Sequence, residues 1–273
     1  MNSASARLKN YAEAKLGERH KKVISTLRRA SKDCQDADNI HDLRVAIRRF
    51  TQALRVFRDL LDRGRLRKMR RRLKIIMDLC GAVRDCDVAL AVLRAARVPA
   101  AAPAYKRVRK IRCRTARDLA RLLSPSRAAK IEKWTDWLKA KPSRSETLRS
   151  VARRSLALLA AQFFQARRVA AKPAASEREM HRFRLAAKRL RYTMEIFGPL
   201  AGPQWKRQIE EIRGLQEHLG AANDCVVARE LTNHSHAALQ ALLRQRIAAF
   251  RQFVESHFST AVEHAWLARL RKI

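Results

Sequence analysis

Glycine and proline are scarce, with seven of each in 273 residues. So few turn-formers exclude collagen-like and turn-rich all-β chains, and they leave long helices as the natural element. Aromatic residues make up only 6% of the chain, most of them at positions where they would pack. Few remain for stacking on nucleic-acid bases. The five cysteines, Cys34, Cys80, Cys86, Cys113 and Cys225, are odd in number and lack metal-site spacing. They read as reduced, packed thiols of a cytoplasmic protein. No window of about eighteen apolar residues exists to span a membrane, and the first residues, MNSASARLKNYAEAK, have no signal-peptide core. Acidic residues are the last scarcity: 25 against 61 Lys plus Arg, for a net charge of +36.

That imbalance costs self-repulsion in a compact chain, and a polyanionic partner is its natural explanation. DNA, RNA, inorganic polyphosphate and an anionic membrane surface are the candidates. Disorder is excluded by the regular apolar stripes that recur along the chain.

The clearest stripe is IHDLRVAIRRFTQALRVF, from Ile40 to Phe57. Leu43, Ile47, Phe50, Leu54, Phe57 and Leu61 step by three and four, as one buried helix face does. His41, Arg44, Arg48, Arg55 and Arg58 step at the same spacing on an adjoining face. The pattern returns as MHRFRLAAKRLRYTMEIF. His181, Arg184, Lys188, Arg189 and Phe197 stand 140 positions after His41, Arg44, Arg48, Arg49 and Phe57 (181 − 41 = 140). A second pattern repeats too: Gly81, Asp85, Cys86 and Val88 return as Gly220, Asp224, Cys225 and Val227, 139 positions on (220 − 81 = 139). The chain reads as a duplication.

Helices are expected over Ser5–Lys32, the basic stretch capped by Asp38 or Asn39, and a third beginning after Asp62-Arg63-Gly64 and running past Gly81, which permits close packing or a kink. A fourth runs from Tyr105 to Leu123, with a short extra helix near 126–139 bringing Trp134, Trp137 and Leu138 to pack. The second half repeats this order. Ser176 and Glu179 form a capping box for its basic helix, a turn follows at Gly198–Pro203, and one last helix spans Ala237–Arg269. The chain is therefore all-α: two tandem four-helix bundles related by internal duplication, residues 1–141 and 142–273, meeting near Lys141-Pro142-Ser143.

The stretches H-x-x-R-x-x-x-R-R (His41–Arg49), H-x-x-R-x-x-x-K-R-L-R-Y (His181–Tyr192) and the Gly81–Val88 and Gly220–Val227 signatures resemble those of the CHAD family, the conserved histidine α-helical domain. The resemblance covers about residues 5–270. It implies a pseudo-twofold pair of bundles forming one CHAD domain, with a basic groove or cavity between facing basic helices that bind inorganic polyphosphate. It further implies the stand-alone kind of member, associated with polyphosphate granules in the cytoplasm. Departures fall where Arg55 and Arg58 correspond to Glu195 and Gly198, and Arg84 to Asn223, so the halves are expected to contribute unequally, with the first more cationic.

The residue types suit such a ligand. Polyphosphate is a repeating anion without bases, and guanidinium groups give it bidentate hydrogen bonds while lysine adds point charges. Arg44, Arg48, Arg184 and Lys188 are the leading ligands. Arg55, Arg67, Arg71 and Lys74 extend the row in the first half, and Arg191, Lys206 and Arg213 in the second. His41 and His181 either donate to phosphate or bond a neighbouring helix end. Arg49 and Arg189 either join the ligands or pair with Asp85 and Asp224. No P-loop, Gly-rich loop or Ser/His/Asp arrangement is present, and Glu177 and Glu179, the nearest carboxylate pair, read as a helix cap. Phosphoanhydride hydrolysis usually draws on metal-binding carboxylates near the cations. The expectation is therefore binding without catalysis, with no cofactor and no metal; His234 and His236, in a loop without carboxylates, read as solvated. The alternative is a sequence-independent DNA- or RNA-binding protein, and weak non-specific nucleic-acid binding is expected in any case.

Overall fold

The structure, a computed structural model, describes residues 3–142, 146–200, 204–232 and 237–270. Ten α-helices carry these residues and no strand occurs among them. They are α1 (Ser3–Lys32), α2 (Ala37–Val56), α3 (Arg63–Ala95), α4 (Pro103–Leu122), α5 (Pro125–Glu132), α6 (Leu148–Ala170), α7 (Glu177–Phe197), α8 (Gln204–Thr232), α9 (Ala237–His257) and α10 (Thr260–Leu270). Short 3-10 turns follow α2, α5 and α7. The expectations at Ser143, His234 and His236, the end of the turn at 201–203, and the Trp137 side chain lie outside the described residues. Two compact units emerge, Met1–Ala91 with Pro99–Leu148, and Val92–Val98 with Arg149–Ile273.

In the first unit α1 packs along α2 and against α5. Its Leu8, Ala12, Leu16, Val23 and Leu27 have no solvent exposure, and all six stripe residues from Leu43 to Leu61 are buried. Each such Leu, Ile or Phe contributes about 1.5–3 kcal/mol by leaving water. The cap of α2 is Asp36, whose carboxylate accepts the Asp38 N–H at 2.8 Å. Neither Asp38 nor Asn39 is the cap, because the helix starts a turn before its apolar stripe begins. Asp62 does the same for α3, accepting the Arg65 N–H at 2.8 Å, and that hydrogen bond lowers its pKa. On α4, Arg112 pairs with Asp87 of α3 at 3.0 Å and also donates to the Gln35 carbonyl at 2.8 Å. One mostly buried guanidinium thus ties α4 to α3 and to the turn before α2.

In the second unit α7 packs on α8 and α8 on α9. Its core is aromatic: Phe163 meets Phe164, Phe183 and Phe258 at centroid distances of 5.0, 5.1 and 5.5 Å, and stacks on Trp266 at 6.2 Å. The expected capping box is present, with Glu179 N–H donating to Ser176 Oγ and the Glu179 carboxylate accepting the Ser176 N–H at 2.7 Å. The single last helix is not. It breaks after His257 into α9 and α10, because the Phe258 carbonyl accepts Arg167 Nη1 at 2.5 Å and Ser259 Oγ accepts the Val262 N–H. The break carries buried Glu263 to Arg167 and Arg168, at 3.1 and 2.6 Å.

Four of the cysteines are buried and none forms a disulfide. Cys113 is the exception to the expected packing, because it lies on the outer face of α4 and is exposed. No helix among the described residues is long and apolar enough to cross a membrane.

Candidate anion-binding site

The amphipathic geometry of α2 puts its apolar stripe into the core and leaves His41, Arg44 and Arg48 on its flank, over α3. Arg44 and Arg48 are half-buried and His41 is more exposed. Arg44 Nη1 is sealed from solvent with no hydrogen-bond partner, and lies 2.9 Å from where a Cβ on Gly81 would stand. A glycine at 81 is therefore what leaves room for the guanidinium against α3, the close packing expected there. Burial, and then the adjacent Arg48, pull the Arg44 pKa down to about 10, with Asp85 opposing and Arg84 adding to the fall. Burial also pushes the Cys80 thiol beneath it up to about 12.

Arg84, one turn beyond Gly81 on α3, belongs to the same cluster. Partial burial and then Arg84 hold the His41 pKa below its ordinary value; Arg48 and Arg44 act in the same direction, and Asp42 opposes them. Arg44, Arg48 and Arg84 form no salt bridge with any described acid. Three arginines and a histidine thus share one site; among the described residues, Asp85 and Asp42 are the acids that act on Arg44 and His41, and Asp42 is itself bonded to Arg29 at 2.5 Å. Sequence reasoning placed Arg84 only as a departure from the family pattern. Forty positions from Arg44, no helix periodicity joins the two.

The second unit repeats the placement with different chemistry. Arg184 lies over Gly220, its Nη2 3.9 Å from a Cβ built there. His181 Nδ1 bonds Asn223 Oδ1 at 3.0 Å. Because an amide oxygen only accepts, Nδ1 carries the proton and Nε2 is left for another donor or acceptor role. Where α3 carries Arg84, which repels a proton from its histidine, α8 carries Asn223, which orients one.

The remaining candidates scatter. Arg67 and Arg71 are exposed along α3, and Lys74 pairs with Asp78 at 2.5 Å. Arg191 sits over the Tyr192 ring at 4.9 Å and pairs with Glu195 at 3.6 Å, both side chains mostly buried. Arg213 pairs with Glu210 at 2.8 Å, while Lys206, Arg189 and Arg55 are exposed and Lys188 and Arg49 half-buried. The Glu177 carboxylate binds Arg229 through two hydrogen bonds of 2.8 and 2.6 Å. With Glu179 in its cap, both carboxylates of that pair hold structure together. No group of three metal-binding side chains occurs among the described residues.

The family model for the CHAD domain matches residues 14–233. The crystal structure of the CHAD domain from the plant Ricinus communis is similar, with a TM-score of 0.67 and 22% identity over 97% of this chain and 92% of that one. PptA from Streptomyces chartreusis is similar at a TM-score of 0.62 and 15% identity, over 97% and 99%. At these identities the likeness is one of fold. No curated protein matches the chain.

Proposed function

From the premise that this chain belongs to the CHAD-domain family, we propose that it binds inorganic polyphosphate and performs no reaction on it. The observation that carries this reading is Arg44. A guanidinium largely out of solvent, crowded by Arg48 and Arg84 and without an ion pair to any described acid, is costly to hold unless an anion offsets its charge. A phosphate oxygen is the anion whose geometry suits a guanidinium fork, and a chain of phosphates engages the neighbouring arginines in turn. The repeat in the second unit, Arg184 over Gly220 beside His181, supplies a second contact row of the same origin by duplication. In the cell such a chain rides on polyphosphate granules in the cytoplasm. DNA and RNA compete through their phosphates, since the described residues of the cluster, His41, Arg44, Arg48 and Arg84, include no Phe, Tyr or Trp to stack a base.

The test is calorimetric titration with long-chain polyphosphate, duplex DNA and RNA, at low and near-physiological salt. Polyphosphate binding persists at the higher salt while nucleic-acid binding fades. Changing Arg44, Arg48, Arg184 and Lys188 together to Ala weakens polyphosphate binding at least about a hundredfold, given the strength of charge-assisted hydrogen bonds. Unchanged binding in that variant would remove the site assignment. Equal affinities for all three polymers that collapse together with salt would reduce the reading to a cationic surface. Metal-dependent phosphate release by the purified protein would overturn the absence of catalysis.

A further inference from the structure

Helix α4 carries a second basic row that the site on α2 does not use. Lys106, Lys110, Arg114, Arg117 and Arg121 are all exposed. At 3.6 residues per turn they fall within about 80° of the helix circumference and extend over about 22 Å of its axis. Val108, Ala116 and Leu119, the buried residues of the helix, lie on the opposite side with Arg112, which faces α3. The row therefore points away from α3 and from the Arg44 cluster over it.

Like charges three and four residues apart weaken a helix, and little here offsets them. Asp118 is the one acid in α4, and it approaches Arg121 only at 3.8 Å with that arginine 81% exposed. Lys106, Lys110 and Arg114 form no ion pair with any described residue. Arg117 spends its Nε on the Cys113 carbonyl at 3.3 Å, which turns its outer nitrogens toward solvent. Arg114, Arg117, Asp118 and Arg121 line an open depression. The uncharged side chains in or beside this sector, Pro103, Cys113 and Ala120, are small and non-aromatic, so the face offers nothing to stack on a base or to enter a membrane. What it complements is an extended anion lacking both, able to follow a straight helix.

Building on the polyphosphate reading above, we infer that α4 is a second polyphosphate-binding row, so that the first unit alone engages two stretches of chain. Two rows on one unit make the second contact intramolecular, or let one protein molecule bridge two chains.

Cys113 lies within the row and is the one exposed thiol among the five cysteines, so it reports occupancy directly. The experiment measures Cys113 alkylation by N-ethylmaleimide with and without long-chain polyphosphate. Four proteins are compared: the unaltered chain; the Arg44, Arg48, Arg184, Lys188→Ala variant; a row variant with Lys106, Lys110, Arg114, Arg117 and Arg121 each changed to Gln; and a charge-matched control with Arg7, Lys21, Lys22, Lys32 and Arg94 changed to Gln. Gln keeps the helix propensity of Lys and Arg. Polyphosphate is expected to slow alkylation several-fold in the unaltered chain, in the control and in the Arg44 variant, and to leave the row variant unaffected. Unslowed alkylation in an unaltered chain that binds polyphosphate by calorimetry would overturn the second row and leave the proposed function standing. Absence of polyphosphate binding altogether would overturn both. Protection by duplex DNA or RNA but not by polyphosphate would reassign the row to nucleic acid and overturn this inference.

Discussion

Arg44 and Gly81 form a pair in which each explains the other. A methyl group at 81 would meet the far end of a flexible side chain, at 2.9 Å from Nη1, and not the backbone. Gly81→Ala is therefore accommodated by the fold, with a gain of up to about 1 kcal/mol from helix propensity, while the guanidinium is pushed from its seat. Thermal unfolding is expected to show an unchanged or raised Tm, and calorimetry about tenfold weaker polyphosphate binding, the cost of one misplaced charge-assisted hydrogen bond. At Gly220 the same change meets Arg184 only at 3.9 Å, an ordinary contact. Gly220→Ala should leave binding intact, and equal losses at both positions would contradict the geometry.

His41 supplies a pH dependence whose sign follows from its surroundings. Burial, and then Arg84, Arg48 and Arg44, lower its pKa in the folded chain below the ordinary value of 6.5. The unfolded chain therefore takes up this proton first. The stability that His41 contributes is complete above about pH 6.5 and is lost as pH falls through the folded-state value. An anion in the cluster reverses the bias, because it offsets the three arginines and raises the His41 pKa. Polyphosphate binding should then tighten as pH drops below about 7, with proton uptake measurable in buffers of different ionisation enthalpy. His41→Gln should flatten both the stability slope and the proton uptake. An uptake unchanged in that variant would place the titrating group elsewhere.

At the scale of the element, α3 ends in a way the residue sequence makes expensive. Val98 N–H bonds the Leu93 carbonyl and Arg97 takes a φ of 55°, the left-handed position of a helix-ending motif usually filled by glycine. Arg97→Gly should stabilise the chain by about 1 kcal/mol, read from denaturant unfolding, because glycine adopts that conformation without strain. Loss of stability would mean that the Arg97 side chain contributes more than its backbone costs. At the end of α9, the apolar spacing of the sequence runs on through Phe258 toward Trp266 and Leu270. What stops the helix is Arg167, which lies 91 positions earlier and takes the Phe258 carbonyl.

Across the whole chain, a charge of +36 sets two opposite responses to salt. Without ligand, added salt screens self-repulsion and should raise the Tm. With polyphosphate, salt opposes counterion release and should lower the affinity steeply, so the ligand-induced rise in Tm shrinks as salt increases. Thermal scans over a salt series with and without polyphosphate should therefore converge. Parallel curves would show that the ligand does not bind through its charge.

Sequence alone made legible the all-α class, the apolar stripe of α2, the third helix running through Gly81 and the capping box at Ser176 and Glu179. Those features are written in spacings of three and four residues along one helix, where chain geometry alone fixes which side chains share a face. It located the Asp36 cap wrongly, because the first turn of α2 carries no apolar marker before Ile40. Packing between helices is what makes Gly81 accommodate Arg44, brings Arg84 into the cluster around His41 while its counterpart Asn223 bonds His181, and parts α9 from α10 at Phe258. Each of these depends on two helices approaching to within a side chain's length, and that approach is set by how their buried faces pack.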